Sequence, residues 1–465
     1  MEGLAFLTVL VSIFFIVGTA RSGRPSPAAT WFIVLGIVFN FYAYFLFYGQ
    51  ADVLGQSRIL GGFSIFCTGL IAFICAAAVG RGMRAKRPGD SIELFGESLR
   101  EHERTPENRR KSLVLIVSAA VVILIPSWIY FVLLGYVPLF EGLNSVSASG
   151  LGGLGELQIS RLSRDATLGS TGTRIPLQGL WELFRNVGTP FLVALAIAQI
   201  QAGHRKMFRI LVLILAVTTS LLAGQRWPLI YTIVAVLATF AFLRPLKLSV
   251  KRSRIFLLGA ILFGVGVGIS TLQKRTLETF QSTQDAVAFG FNNLIGRILV
   301  EQSQTSVLSY LNESFRGGEL GGRSYWLAFQ AYLPGQKQAT FPVEFYQTVY
   351  QTSAAYTAPP DFFTEAYLNF DVFGVVVAAI LWGLIAVRID LGTFHPDRIT
   401  DTAIKGGVAA LFASTVFTGP SYLVGGSIVL VILLTVLRIV DKADRARRLR
   451  RMSFAERTGS VPARR

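Results

Sequence analysis

The sequence contains little cysteine, little histidine and little charge for its length. Two cysteines and three histidines occur among 465 residues, and charged side chains make up 15 %. Both cysteines, Cys67 and Cys75, fall inside one apolar run, where we expect small core residues and no disulfide, metal site or nucleophile. The sequence has no phosphate-binding loop of the GxxxxGK type and no nucleotide-binding glycine fingerprint. Energy coupling by nucleotide hydrolysis is therefore not expected.

Long apolar runs dominate what is present. Apolar residues make up 52 % of the chain and the mean hydropathy is +0.53, which is too high for a soluble protein of this length. Runs of about 18 or more apolar residues are typical of membrane-spanning helices. Eleven runs fit this pattern, at about 3–20, 28–49, 59–79, 112–135, 187–203, 208–223, 225–243, 255–272, 367–389, 403–418 and 420–440. The sequence therefore predicts an all-α polytopic membrane protein with about 11 transmembrane helices.

The net charge of +17 is concentrated on one side of these predicted helices. With the N-terminus outside and the C-terminus inside, the inner segments contain 32 of the 44 basic residues and 12 of the 27 acidic residues. This is the positive-inside bias of membrane proteins. We interpret the basicity as topology and contact with anionic lipid, and we expect no nucleic-acid partner. All three histidines (His102, His204 and His395) then fall on the inner side.

This predicted topology divides the chain into four parts. These are helices 1–8 in residues 1–272 (with an outer loop at 136–186 and an inner linker at 80–111), a large outer-face loop at 273–366, helices 9–11 in residues 367–440, and a basic cytoplasmic tail at 441–465. The large loop, with predicted amphipathic helices, contains six basic and eight acidic side chains but no His or Cys. Any acid–base chemistry within it must therefore use carboxylates.

The large loop closes on a segment that predicts a capped helix. Pro359 and Pro360 favour the start of a helix, and Asp361 is a suitable N-cap. Spacing of four residues then places Asp361, Glu365 and Asn369 on one stripe. Ionisable groups at membrane depth are costly and usually face a partner or a water-filled cavity.

Several motifs together resemble the O-antigen polymerase family, the Wzy-type oligosaccharide repeat-unit polymerases. They are GYVPLF after a helix, a lone arginine in the turn GQRWP, and the loop closure PPDFFTEAYLNFDVFG. The most specific pattern, PP-x4-E-x-Y-x-N-F-x-x-F-G, is matched by Pro359, Pro360, Glu365, Tyr367, Asn369, Phe370 and Gly374. The family often has glycine where this chain has Asp371.

The resemblance implies a GT-C-like, lipid-dependent glycosyltransferase of the bacterial inner (plasma) membrane, active on the outer face. The donor would be a glycan on undecaprenyl pyrophosphate, and the acceptor a second lipid-linked repeat unit. The product would be an O-antigen, capsule or other exopolysaccharide. No cofactor is implied, because the pyrophosphate bond supplies the energy, and a chain-length-determining polysaccharide co-polymerase would be a partner.

Such a reaction needs cations that stabilise the departing pyrophosphate, and arginine suits phosphate oxygens. The outer-face candidates are Arg226 and Arg297 as catalytic residues, Arg323 as a binding residue, and Lys274 and Arg275 for the lipid headgroup. For each of them, a solvated or lipid-contacting cation is the alternative interpretation.

Removal of the acceptor proton needs a carboxylate or no base, since histidine is absent outside. Glu365 is the first candidate and Asp361 the second, while Tyr367 and Asn369 are candidates for sugar contacts. The alternatives are a helix cap for Asp361, an ion pair with an outer arginine for Glu365, and plain packing for Tyr367 and Asn369.

Three other functions stay open. An O-antigen ligase uses the same donor, but its outer loop normally contains a functional histidine, which this loop lacks. A lipid-linked oligosaccharide flippase predicts two related halves and short loops, whereas here one loop dominates. A membrane scaffold without enzymatic activity would need neither the stripe nor the outer arginines.

Overall fold

The computed structural model describes residues 1–22, 26–85, 106–135, 137, 181, 183–202, 206–222, 227–243, 288, 291–292, 295–296, 299–300, 302–312, 316–330, 341–351, 359–395, 397–420 and 423–457. Within these residues all regular secondary structure is helical, which confirms the all-α prediction. The helices are α1 (Glu2–Arg21), α2 (Pro27–Gln50), α3 (Val53–Ala85), α4 (Pro106–Leu134), α5 (Thr189–Gln201), α6 (Lys206–Leu222), α7 (Trp227–Leu243), α8 (Gln302–Ser309), α9 (Arg323–Gln330), α10 (Phe341–Tyr350), α11 (Phe362–Leu391), α12 (Arg398–Thr418) and α13 (Leu423–Arg457). A π-helical turn, Phe184–Gly188, leads directly into α5.

Five of the described helices are long and apolar enough to cross a membrane. They contain the stretches Glu2–Arg21, Pro27–Gln50, Val53–Met83, Arg110–Leu133 and Phe362–Leu391. Helices α6 and α7 contain shorter apolar stretches, Met207–Ser220 and Ile230–Leu243. The chain is thus a membrane protein, as predicted. The predicted span at 255–272 lies outside the described residues.

Helices α5 and α12 form the centre of the bundle and are buried along almost their whole length. Close approach explains part of this burial, because a Cβ on Gly406 of α12 would come within 3.2 Å of the Ala235 carbonyl of α7. Small residues permit such contacts between membrane helices. By contrast, α1 leaves Phe6 and Phe14 70 % and 69 % exposed, as a lipid-facing surface requires.

Helix α3 packs one face against the bundle and leaves the other free. Cys67 is buried on the packed face, whereas Cys75 is exposed. The prediction that both cysteines are core residues is therefore wrong for Cys75, because its position on α3 faces away from the neighbouring helices.

Polar contacts between helix ends define one end of the bundle, here called the basic end. Ser26 and the Ala28 N–H, at the start of α2, both donate to the carboxylate of Asp390 near the end of α11. Lys111 of α4 pairs with Asp441 of α13, with 2.5 Å between Nζ and Oδ1. The start of α2 and the end of α11 therefore lie on the same side.

Two further contacts assign other helices to the basic end. Arg209 of α6 donates to Gln199 of α5 at 2.8 Å and to the Ser112 hydroxyl of α4 at 3.1 Å. The Lys405 ammonium of α12 lies 5.9 Å from the centre of the Phe242 ring near the end of α7. Helices α4, α6 and α12 thus begin at the basic end, while α5 and α7 finish there.

Helix α11 reverses direction after two turns. Phe370 (φ −143°, ψ 20°) and Asp371 (φ 58°, ψ −163°) have non-helical backbone angles. The rings of Phe362 and Trp382 lie 4.9 Å apart, whereas 20 residues of straight helix would separate them by about 30 Å. The two parts of α11 therefore lie side by side as a helical hairpin.

The two arms of this hairpin differ in length. The short arm contains residues 362–369, and the long arm, 372–391, is long enough to cross a membrane at about 1.5 Å per residue. Trp382 lies halfway along the long arm, so the short arm begins halfway between the two ends of the bundle. The predicted ninth span, 367–389, combines parts of both arms, because apolar composition alone does not distinguish a straight helix from a folded one.

The turn at 316–322 closes the apex of the hairpin. The N–H groups of Gly318 and Leu320 donate to the carbonyls of Tyr367 and Leu368, each at 3.0 Å. Carbonyls at the end of a helix lack intrahelical partners, so these bonds satisfy groups that the reversal leaves unpaired.

Helix α8 also extends into the bundle. Its Ser303 hydroxyl donates to the Asn40 side chain of α2 at 2.6 Å, and after its end the Leu311 carbonyl accepts from Arg58 near the start of α3 at 3.1 Å. Helix α8 therefore runs from the middle of α2 to the end of the bundle opposite the basic end, here called the opposite end.

Candidate functional site

Asp361 caps the short arm of the hairpin, as the sequence predicts. Its carboxylate accepts from the N–H groups of Phe363 (2.9 Å) and Thr364 (3.0 Å) and from the Thr364 hydroxyl (2.5 Å). Its own N–H donates to the Ser306 hydroxyl of α8 at 2.7 Å. Most of its accepting capacity is thus used locally.

Glu365 lies one turn further along the short arm and is fully buried. Its Oε1 accepts from the Ser324 hydroxyl of α9 at 2.6 Å. Its Oε2 lies against Gly419 at the end of α12, where an added Cβ would come within 2.1 Å of it. Gly419 also has φ 71°, in the region that favours glycine. The carboxylate is therefore held between α9 and the end of α12.

Asn369 completes this arrangement at the next turn. Its Nδ2 donates to the Ser324 hydroxyl oxygen at 2.7 Å and to the Glu365 carbonyl at 2.8 Å. Its Oδ1 accepts from the Gly322 N–H at 3.0 Å. Asp361, Glu365 and Asn369, predicted to share a stripe, are all buried on this one arm.

Three tyrosines border the short arm. The Tyr367 ring packs on the Tyr310 ring with 5.8 Å between their centres. Burial and, to a smaller extent, the charge of Asp361 raise the pKa of Tyr310. Burial and the charge of Glu365 raise the pKa of Tyr325. The Tyr310 and Tyr325 hydroxyls therefore stay protonated at neutral pH and can donate hydrogen bonds.

Arg323 begins α9 at the surface. Its guanidinium lies 3.0 Å from the Glu344 carboxylate, and the two side chains are 56 % and 37 % exposed. Exposed pairs of this kind add little stability, so a ligand could displace Glu344 at low cost. Because its side chain is exposed, Arg323 is also accessible to a ligand. The remaining predicted cations, Arg226, Arg297, Lys274 and Arg275, lie outside the described residues.

Arg185 is a buried cation that the sequence interpretation missed. It is 0 % exposed, its Nε donates to Asn186 at 3.1 Å, and its guanidinium lies 4.9 Å from the centre of the Tyr130 ring. It belongs to the π-helical turn before α5, and such turns occur frequently at functional sites. Next to it, the hydroxyls of Thr189 and Ser220 are 2.5 Å apart.

A sequence signal for Arg185 exists in the segment LWELFRNVG. An arginine between Phe184 and Val187, directly before an apolar run, is costly unless it is held by specific contacts. The aromatic residues of the segment instead suggest that it lies at the membrane interface. The contact with Tyr130, more than 50 residues earlier in the chain, is what the pattern could not show.

The site offers carboxylates, hydroxyls and arginine as its chemical groups. Among the described residues, no three His, Cys, Asp or Glu side chains are placed together to hold a metal ion. Comparison of the chain with known protein families, curated proteins and solved structures finds no match.

Proposed function

We propose that this chain polymerises undecaprenyl-pyrophosphate-linked oligosaccharide repeat units into a surface polysaccharide. The observation that carries the proposal is the buried Glu365 carboxylate on the short arm of a helical hairpin, accepting from Ser324 and enclosed by α9 and α12. Buried ionisable groups in membrane proteins are costly and are usually functional. The sequence motif that resembles the polymerase family includes this same arm and continues into the start of the long arm.

In the proposed reaction, the acceptor sugar hydroxyl attacks the anomeric carbon of the donor glycan. A bond forms between the hydroxyl oxygen and that carbon, and the bond from the carbon to the pyrophosphate oxygen breaks. The lipid pyrophosphate leaves with the electron pair, and the hydroxyl proton passes to Glu365. Holding two lipid-linked substrates in line supplies much of the rate enhancement.

Arginines are proposed to stabilise the charge on the pyrophosphate. Arg226 and Arg297 keep this role as sequence-based proposals, with Arg323 as a binding residue and Lys274 and Arg275 at the lipid headgroup. Arg185 joins them, because its planar guanidinium is held in place by Tyr130 and Asn186.

The proposed setting is the bacterial inner membrane, crossed by eleven helices in a GT-C-like arrangement. The N-terminus would be outside, the basic end cytoplasmic and the active site on the outer face. Membrane lipid and a chain-length-determining co-polymerase are the proposed partners, and neither a cofactor nor a nucleic acid takes part.

A flippase for lipid-linked oligosaccharide is the second candidate. The observation in its favour is the α11 hairpin, because transporters use broken helices to place polar groups at the middle of the membrane.

One experiment separates these functions. Purified protein in liposomes is given a lipid-linked repeat unit without nucleotide, and the products are resolved by size. A ladder of products supports the polymerase, and the Glu365→Gln variant should abolish it. A single transfer to another lipid indicates a ligase-type transferase, and movement across the bilayer without new bonds indicates a flippase.

A further inference from the structure

We propose that Ser324 and Asn369 are positioning residues that orient the Glu365 carboxylate toward the acceptor hydroxyl; this inference rests on the proposed function. Ser324 bonds to Glu365 directly, and Asn369 bonds to Ser324. From the sequence alone, Asn369 is a candidate for a sugar contact and Ser324 has no assigned role.

The direction of each hydrogen bond in this group is determined. Gly322 offers an N–H, so the oxygen of the Asn369 amide must face it and the Nδ2 must face Ser324. Ser324 has one hydroxyl proton. Because its oxygen accepts from Asn369, that proton is free to point at Oε1 of Glu365, 2.6 Å away.

Both bonding atoms of the Asn369 amide are occupied. Its Nδ2 serves Ser324 and the Glu365 carbonyl, and its Oδ1 serves Gly322. All the side chains involved are buried, so water cannot replace a lost partner without rearrangement. Both Nδ2 protons of Asn369 are therefore used within the protein, where they hold the short arm against α9.

Ser324 sets the direction of one oxygen of the Glu365 carboxylate. Oε1 is bound by Ser324, while Oε2 faces the end of α12 at Gly419. A carboxylate held at one oxygen and oriented by its neighbours accepts a proton in a fixed direction, which is what a general base requires. Loss of the Ser324 hydroxyl would remove this constraint on the carboxylate.

The test uses the Ser324→Ala variant in the polymerisation assay with a lipid-linked repeat unit. A positioning role predicts that kcat falls roughly tenfold or more, as expected for a lost bond to a charged group, while KM changes less than about twofold. The matched control is Ser309→Ala, since Ser309 is also buried but, among the described residues, its hydroxyl bonds only to the Ser306 carbonyl of its own helix.

Equal kcat in Ser324→Ala and Ser309→Ala would overturn the inference. If Ser324→Ala does not fold, Ser324→Thr replaces it, because threonine retains the hydroxyl. A folded Ser324→Thr protein with wild-type kcat supports the role, and a folded one with kcat reduced tenfold contradicts it. An active Glu365→Gln enzyme would instead show that the proposed function assigns the wrong base, whatever the Ser324 variants do.

Discussion

At the scale of single residues, Asp361 and Glu365 differ in the groups that donate hydrogen bonds to their carboxylates. The Asp361 carboxylate accepts from two backbone N–H groups and from Thr364. The Glu365 carboxylate accepts from a side chain on another helix. The first arrangement is that of a helix cap. The second connects the short arm to α9.

This difference gives a prediction for Asp361. Asp361→Asn retains an acceptor oxygen and should fold and polymerise nearly as the wild type does. Asp361→Ala loses the cap and should lower the free energy of unfolding by about 1–2 kcal/mol. Thermal unfolding of the purified protein and the product ladder measure the two effects.

The matched control is Asp52→Asn, because Asp52 caps α3 through the Gly55 N–H at 2.8 Å and belongs to a different helix from Glu365. Loss of the ladder in Asp361→Asn but not in Asp52→Asn would show that Asp361 takes part in the reaction. The roles of the two carboxylates would then need to be exchanged.

His395 at the basic end provides a second prediction at this scale. Its Nδ1 accepts from the Asp397 N–H at 3.1 Å, and burial lowers the pKa of His395 despite the nearby charges of Asp397 and Asp441. Folding thus favours the neutral imidazole. Below about pH 6.5 the unfolded chain binds a proton that the folded chain resists. The stabilising contribution of His395 is complete above that pH and is lost as the pH falls.

Thermal unfolding between pH 7.5 and pH 5.5 checks this sign. The wild-type Tm should fall more steeply with acidification than the Tm of His395→Gln, which has no proton to gain. Parallel curves for the two proteins would mean that His395 does not contribute to the pH dependence.

At the scale of elements, the α11 hairpin depends on the conformation of Asp371. Its angles (φ 58°, ψ −163°) lie in a region that is nearly exclusive to glycine and costs of order 1–3 kcal/mol for other residues. The Asp371 Oδ1 accepts from the Val372 N–H at 2.8 Å, which offsets part of that cost at the start of the long arm. The glycine often found here in the family that the motif resembles would adopt these angles without strain.

Substitutions at Asp371 should therefore separate strain from capping. Asp371→Gly removes the strain and should raise the free energy of unfolding by about 1 kcal/mol or leave it unchanged. Asp371→Ala keeps the strain and loses the bond to Val372, so it should be destabilised. Asp371→Asn retains both features and serves as the control that matches the wild type. A glycine variant less stable than the alanine variant would contradict the hairpin geometry.

The hairpin also shows which parts of the fold the sequence could predict. The cap at Asp361 and the stripe through Glu365 and Asn369 are local, because they depend on residues four apart in one helix. The reversal at Asp371 is not local. The carbonyls that it leaves unpaired accept from Gly318 and Leu320, which lie about 50 residues earlier in the chain. An aspartate at the turn in place of glycine removes the usual sequence signal.

At the scale of the whole molecule, the helix ends assign the chain to alternating sides. Helix α7 finishes near Lys405 at the basic end, whereas Leu311 after α8 contacts Arg58 at the opposite end. The chain therefore changes sides between Leu243 and Leu311. The predicted span at 255–272, outside the described residues, would account for this change and would give the proposed odd number of crossings.

An odd number of crossings places the two termini on different sides of the membrane. A reagent that cannot cross membranes tests which side each end of the bundle occupies. Glu319, beside the hairpin apex, and Lys442, beyond the contact between Lys111 and Asp441, are both exposed. Each is replaced by cysteine in a background with Cys67→Ala and Cys75→Ala. Because basic segments stay in the cytoplasm, Glu319→Cys should react with a charged maleimide in intact spheroplasts and Lys442→Cys only after permeabilisation. Labelling of Lys442→Cys in intact spheroplasts would mean that the basic end faces outward. The opposite end, with the hairpin apex near Glu365, would then face the cytoplasm, which contradicts polymerisation on the outer face.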